Sequence, residues 1–294
     1  MRVSYFPAEP DPVPETTGVP VLAEQRMIGY TGNISSAIAH CDIARRFIKG
    51  SAMADQPQTA RVNEFGQSIG FPVADWTPRP RPPHAPITGR FAAIEMLSAD
   101  RHAADLHEAN RLDRDGRNWT YLPYGPFSQL SDYKAWMQQT CTGEDPLFHA
   151  IMDRATGKAV GVASYLRIEP AVGVIEVGHI NYSPLAQRKP LATEAMYLLM
   201  RRVFDELGYR RYEWKCDSLN VPSCAAALRL GFRYEGIFRQ ATIYRGRNRD
   251  TAWYSITDQE WPARRAAFEA WLDPANFDSA GLQRRKLSDF MPTA

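Results

Sequence analysis

The sequence predicts a mixed α/β (α+β) domain over residues 87–272, and three observations carry that prediction. Hydrophobic alternation of period two runs from Leu147 to Tyr182, broken only by turn signals. A long amphipathic segment follows, with Ala192, Ala195, Met196, Leu199, Val203, Phe204 and Leu207 at helical spacing. A short strand and a short helix come next, each preceded or closed by a glycine, Gly208 and Gly231.

In chain order, a strand at Phe91 to Leu97 leads into a helix opened by Ser98, with Asp100 in its first turn, and a second helix lies around Ser131 to Cys141. Strands at Leu147 to Met152, Val160 to Ile168 and Val174 to Tyr182 are separated by the turns Ala155–Gly157 and Pro170–Gly173, which suggests an antiparallel meander. The long helix carries Arg201, Arg202, Asp205 and Glu206 on its outer face. The strand Tyr209 to Cys216 places Tyr212, Trp214 and Cys216 on one side and Arg211, Glu213 and Lys215 on the other. A helix from about Pro222 to Leu230, strands Phe232–Tyr244 and Asp250–Ile256 and a helix from about Asp258 to Leu272 complete the order, leaving 273–294 as a C-terminal tail.

Upstream the signals differ. Residues 1–52 show no sustained period apart from a short helix expected at Ser35 to Ile48, so they read as an extension that is disordered or foreign to the native protein, with Met53 a candidate start. Twelve of the 22 prolines precede Ile87, and WTPRPRPPHAP (Trp76 to Pro86) cannot hold a helix or a central strand, so 53–86 reads as an extended Pro-rich strap.

A formal net charge of +2 over 294 residues announces neither a nucleic-acid nor a membrane-surface partner. No run of about 18 apolar residues exists for a span, and the N-terminus lacks the order of a signal peptide, so the expectation is a cytoplasmic monomer or homodimer with no membrane partner. Cys41, Cys141, Cys216 and Cys224 form no CxxC pair and predict buried free thiols, with no metal and no disulfide framework.

A strand that opens through a short loop onto a helix is an anion site, because first-turn N–H groups lack partners and the dipole favours negative charge. Here that loop, Pro184 to Thr193, places Arg188 and Lys189 beside the helix start. Around it stand EVGHINYSP (Glu176 to Pro184), QRKPLATEA (Gln187 to Ala195) and NVPSCAAALRLGF (Asn220 to Phe232). Together these strings resemble the GNAT acetyltransferase pattern, nearest to the RimJ/RimL-like branch. The resemblance implies a mostly antiparallel central sheet with a splayed strand pair and helices on both faces, and acetyl-CoA as cofactor with coenzyme A as product. It implies that His179, Ile180, Asn181 and Tyr182 face pantetheine, that Gln187, Arg188, Lys189, Leu191, Ala192 and Thr193 hold pyrophosphate, and that Asn220 and Ser223 lie along the CoA arm.

Three positions depart from the family pattern. Pro190 replaces the loop's first glycine and donates no N–H, although its φ suits a helix start. The stretch Glu176 to Pro184 is one residue longer than usual, which predicts a bulge. Ala227 stands where many members have a tyrosine that protonates the leaving thiolate.

Acyl transfer to an amine needs a proton acceptor, a stabilised oxyanion and a departing thiolate. Glu176 is the candidate base and Ser223 the candidate for meeting the sulfur or a relaying water, with His179 and Asp217 as reserves. Trp119, Tyr121 and Tyr124, in WTYLPYGPF, suit an acceptor wall, or equally a loop pinned by its own aromatics. Arg245, Arg247 and Arg249, with Arg284 to Lys286, read as a solvated turn and tail. The function expected is acetyl transfer by direct attack in a ternary complex to a primary amine acceptor, a small molecule or a protein N-terminus. The alternative, motivated by Pro190 and Ala227, is a non-catalytic acyl-CoA-binding or sensor module.

Overall fold

A computed structural model describes residues 61–292; the expectations for 1–52, for the helix at Ser35–Ile48 and for a start at Met53 lie outside the described residues. In chain order the elements are β1 (Arg61–Val62), β2 (Ser68–Ile69), β3 (Ile87–Thr88), β4 (Ala92–Met96), α1 (Ala99–Asn110), a 3-10 turn (Arg117–Trp119) and α2 (Leu130–Thr140). They continue as β5 (Leu147–Asp153), β6 (Lys158–Glu169), β7 (Val174–Tyr182), α3 (Pro190–Arg201), β8 (Arg211–Asp217), α4 (Val221–Arg229), β9 (Arg233–Tyr244), β10 (Arg247–Thr257) and α5 (Trp261–Leu272).

β1 and β2 form their own small hairpin; the other eight strands form one sheet in the order β3-β4-β5-β6-β7-β8-β10-β9. All neighbours are antiparallel except β7 and β8, which run parallel because α3 carries the chain back over the sheet. Two apolar cores flank the sheet. Leu147, Ile151, Ile175, Val177, Tyr212 and Trp214 face α3, α4 and α5. Phe148, Ala150 and Val162 pack with Leu106, Tyr133 and Met137 of α1 and α2 on the other side. The alternation along β5 to β8 is therefore the cause of two separate helical layers.

Local chemistry sets the boundaries. The Ser98 side chain caps α1 by accepting from the Arg101 N–H at 3.4 Å. Pro190 is the first residue of α3, where its missing N–H costs no helical bond. Glu194 is buried in that helix and accepts from the N–H groups of Arg90 at 2.8 Å and Ala92 at 2.7 Å, tying the β3–β4 turn to α3.

Three expectations change. The periodic segment to Leu207 is not uniform helix: Arg202–Glu206 forms a π turn. Arg202 is not on a solvent face but buried, donating to the carbonyl of Ala85 at 2.7 Å and so anchoring the strap. Residues 273–292 do not leave the domain, since Leu287 joins the first core and Phe277 packs edge-on against Phe91 and Trp271. Residues 70–86 contain neither helix nor strand, and Trp76 donates to the Ala171 carbonyl at 2.7 Å. Among the described residues no helix is long and apolar enough to cross a membrane.

Candidate active site

β7 and β8 are paired only from Val174 to Val177 against Arg211 to Trp214. Beyond that point β8 continues against β10, with Lys215, Cys216 and Asp217 opposite Trp253, Ala252 and Thr251. β7 continues against β6 alone, through Gly178 opposite Ser164 and Asn181 opposite Val162. Two β7 residues, His179 and Ile180, there oppose the single residue Ala163, and His179 takes a left-handed φ of 51°. This is the bulge that the extra residue between Glu176 and Pro184 predicts, and it turns the strand away from β8. The backbone of Gly178–Tyr182 on the β8 side thus has no strand to answer it, which suits an extended arm that bonds through main-chain groups.

The loop after β7 leads straight to the start of α3. The N–H groups of Ala186 and Gln187 both donate to the Ser183 carbonyl, that of Lys189 to Ala186, and that of Ala192 to Lys189. Those of Arg188 and Leu191 meet no backbone or side-chain acceptor among the described residues and stand at the positive end of the helix dipole. Arg188, with φ of 59°, and Lys189 are exposed and belong to no ion pair among the described residues. Such amides and cations can cradle a phosphate, and Pro190 removes none of them.

Several residues expected to touch the cofactor have structural partners. The Gln187 amide donates to Asn118 Oδ1 and to the Tyr182 carbonyl, both at 2.9 Å, bracing the loop against the Arg117–Trp119 turn. Asn220 Oδ1 caps α4 by accepting from the Ser223 N–H at 3.2 Å. The Ser223 hydroxyl accepts from the Trp214 indole at 3.0 Å, so it sits where β7 and β8 part and keeps its own proton free to donate. The Tyr182 hydroxyl donates to the Ala192 carbonyl at 3.0 Å.

Glu176 is buried, 3% exposed, one residue before the last β7–β8 pairing. Its carboxylate meets Arg167 at 2.7 Å and Lys215 at 3.0 Å, and Lys215 also meets Glu213 at 2.7 Å and lies over the Trp253 ring. The strand face of Arg211, Glu213 and Lys215 is a largely buried ion network, because paired charges can be desolvated together. Burial raises the Glu176 pKa above the usual carboxylate value in spite of both cations, and a raised pKa suits a base.

Above it, His179 Nδ1 and the Tyr124 hydroxyl are 3.1 Å apart, and the His179 ring also packs on Phe148. Burial, with help from Arg167 and Arg249, lowers His179 to about 4, so it is neutral near pH 7. Trp119 belongs to the second core, packed edge-on against Tyr124, Phe127 and Tyr133, rather than to an open wall, as its full burial requires. Tyr121 reaches the other bank, donating to the Leu219 carbonyl at 3.0 Å. The turn after β9 is not merely solvated: Arg245 donates to the Trp119 carbonyl at 3.1 Å and Arg247 to that of Thr120 at 2.7 Å, tying the turn to that loop. Asp217 is held by the Tyr244 hydroxyl at 2.8 Å and the Leu219 N–H at 2.9 Å.

Sequence reasoning missed two features. Arg229 donates to Thr193 Oγ1 at 3.2 Å beside the cradle, and Cys216 and Cys224 bring their sulfurs within 3.6 Å. Neither pair is close in any simple motif; only the strand–turn–helix geometry of β8 and α4 joins the thiols. Among the described residues no cluster of three His, Cys, Asp or Glu could hold a metal.

Comparison with known proteins agrees with this geometry. The model of the Acetyltransferase (GNAT) domain matches residues 94–233. A GCN5-related N-acetyltransferase from Brucella melitensis is 48% identical with a TM-score of 0.72, covering 74% of this chain and 98% of its own. A GNAT-family structure from Chromobacterium violaceum ATCC 12472 is 40% identical with a TM-score of 0.62, covering 67% of this chain and 98% of its own. The uncharacterized N-acetyltransferase YnaD of Bacillus subtilis (strain 168) is 25% identical over 166 residues, 56% of this chain and 95% of that protein. With a parted strand pair, a cradle of free amides and relatives matched over nearly their whole length, the chain belongs to the GNAT family of acetyl-CoA-dependent N-acetyltransferases.

Proposed function

We propose that this enzyme transfers the acetyl group of acetyl-CoA to a primary amine on a small molecule or a protein N-terminus, by direct attack while both substrates are bound. The RimJ/RimL-like affiliation rests on the three motif strings around Glu176, Gln187 and Asn220. The observation that carries the reading is the parting of β7 from β8 immediately after Val177 and Trp214, with the Glu176 carboxylate one residue away.

When bound, acetyl-CoA supplies an activated acyl group. Arg188 and Leu191 offer amides to its phosphates, with Arg188 and Lys189 as cations. The free edge of Gly178–Tyr182 holds the arm. Glu176 accepts the proton of the acceptor amine, directly or through water: Arg167 is its exposed partner, with a side chain 57% exposed, and can move aside while Lys215 stays. Ser223 directs its hydroxyl proton toward the leaving sulfur, in the place of the tyrosine that Ala227 denies. Tyr121 and Tyr124 border the acceptor side.

The test is an amine panel incubated with acetyl-CoA, read by release of free thiol and by mass spectrometry of the product. Acetylated amine in proportion to thiol is the expected result. CoA binding without thiol release on any amine would favour the sensor reading.

A further inference from the structure

We propose that Cys216 and Cys224 form a redox-modification site, a dithiol that peroxide closes to an intramolecular disulfide, drawing α4 onto β8 beside the cofactor slot. The sulfurs stand 3.6 Å apart. A disulfide requires about 2 Å, so the first turn of α4 has roughly 1.5 Å to travel. Cys216 lies on β8 two residues beyond the last pairing with β7, and Cys224 is the fourth residue of α4. Neither sulfur takes part in the chemistry assigned above.

The two thiols are unlike, and the difference orders the steps. Cys216 is buried at 6% exposed while Cys224 is only partly covered, so an oxidant meets Cys224 first. The contact with Cys216 favours the thiolate of Cys224, and the same contact, followed by burial, keeps Cys216 protonated. The Cys224 thiolate attacks one oxygen of hydrogen peroxide, breaking the O–O bond and giving a sulfenic acid and hydroxide. The Cys216 sulfur then attacks the sulfenic sulfur, its proton leaving with the displaced oxygen as water. In sum two thiols and one peroxide give one disulfide and two waters. Cys141 is a poor competitor, since burial pushes its thiol up to about 12.

The consequence for the slot rests on the cofactor reading given above. Ser223 precedes Cys224 and is tied to Trp214, so movement of that turn carries the Ser223 hydroxyl and the Asn220 cap with it and narrows the gap.

The experiment uses the full chain, reduced and then exposed to hydrogen peroxide, alkylated and mapped by peptide mass. The expected product has lost two hydrogens, links the Cys216 and Cys224 peptides, and reverts with a dithiol reductant. CoA affinity by calorimetry should be weaker in the oxidised form by on the order of tenfold. A Cys216→Ser chain should instead gain oxygen at Cys224, and a Cys224→Ser chain should resist both changes. Absence of the linked peptide, or a link from either residue to Cys41 or Cys141, overturns the proposal. An oxidised chain with unchanged CoA affinity overturns the coupling to the slot. If the reduced chain binds no CoA, the cofactor reading fails while the mass result still decides the thiol pair.

Discussion

Val174–Val177 and Gly178–Tyr182 belong to one strand and differ in what lies beside them. All of the first four residues pair with β8, and Val174, Glu176 and Val177 pair with β6 as well; Ile175 and Val177 are core residues at 0% and 1% exposed. The next five are bonded on one edge, carry the bulge at His179 and expose main-chain groups to a gap. Apolar burial holds the first half, whereas the second is kept in a receptive shape by the half it continues from. Stability and ligand binding should therefore separate along a single strand.

The largest effect expected is on stability, at Ile175. Ile175→Ala removes buried methyl groups from the first core and should cost about 2–5 kcal/mol in denaturant unfolding. CoA affinity of the folded fraction should change little, and a large loss of affinity would show that the two halves are not separable.

Acid should act through buried histidines. His149, 2% exposed, is lowered by burial from 6.5 to about 4, and His179 likewise to about 4. Between these values the unfolded chain binds more protons than the folded one, so stability present above pH 6.5 is lost as pH falls toward 4, by on the order of 3 kcal/mol for His149. A His149→Gln chain should lose part of that slope in a pH series of unfolding midpoints, and an unchanged slope would contradict it.

Glu176→Gln sharpens the boundary itself. Turnover should fall roughly a hundredfold with CoA affinity nearly constant, and the loss should shrink as pH rises and more amine arrives deprotonated. Wild-type turnover would exclude Glu176 as the base. Joint loss of stability and CoA binding would mean that its ion pairs with Arg167 and Lys215 are structural.

A smaller change is expected beyond the strand. Replacing Arg188 and Lys189 together by glutamate leaves the amide cradle intact but reverses its field, and should weaken CoA by on the order of tenfold in calorimetry, more at low salt. An unchanged dissociation constant would move the phosphates elsewhere.

The order of elements was legible because each carries a period or a stop signal: Ser98 and Pro190 open helices, Gly208 and Gly231 follow them, and the turn Pro170–Gly173 sets off Val174–Tyr182. The bulge was legible as one residue too many. What pattern reading could not reach was pairing across the sheet. Glu213 and Lys215 pair with each other along their own strand, but the second carboxylate on Lys215, that of Glu176, comes from the parallel neighbour. The same limit hid the anchoring of Arg202 by strap carbonyls and the clasp of Arg245 and Arg247 on the loop of Trp119 and Thr120. At the start of α3, sequence position marked the loop but could not tell which amides its own turns consume, so those of Gln187, Lys189 and Ala192 turn inward while those of Arg188 and Leu191 remain.

Amide hydrogen exchange of the full chain with and without CoA tests the division of β7 most directly. CoA binding should slow exchange in Gly178–Tyr182 and Arg188–Thr193, with Val174–Val177 already protected and unchanged. Protection that appears elsewhere while Gly178–Tyr182 exchanges as before would contradict it.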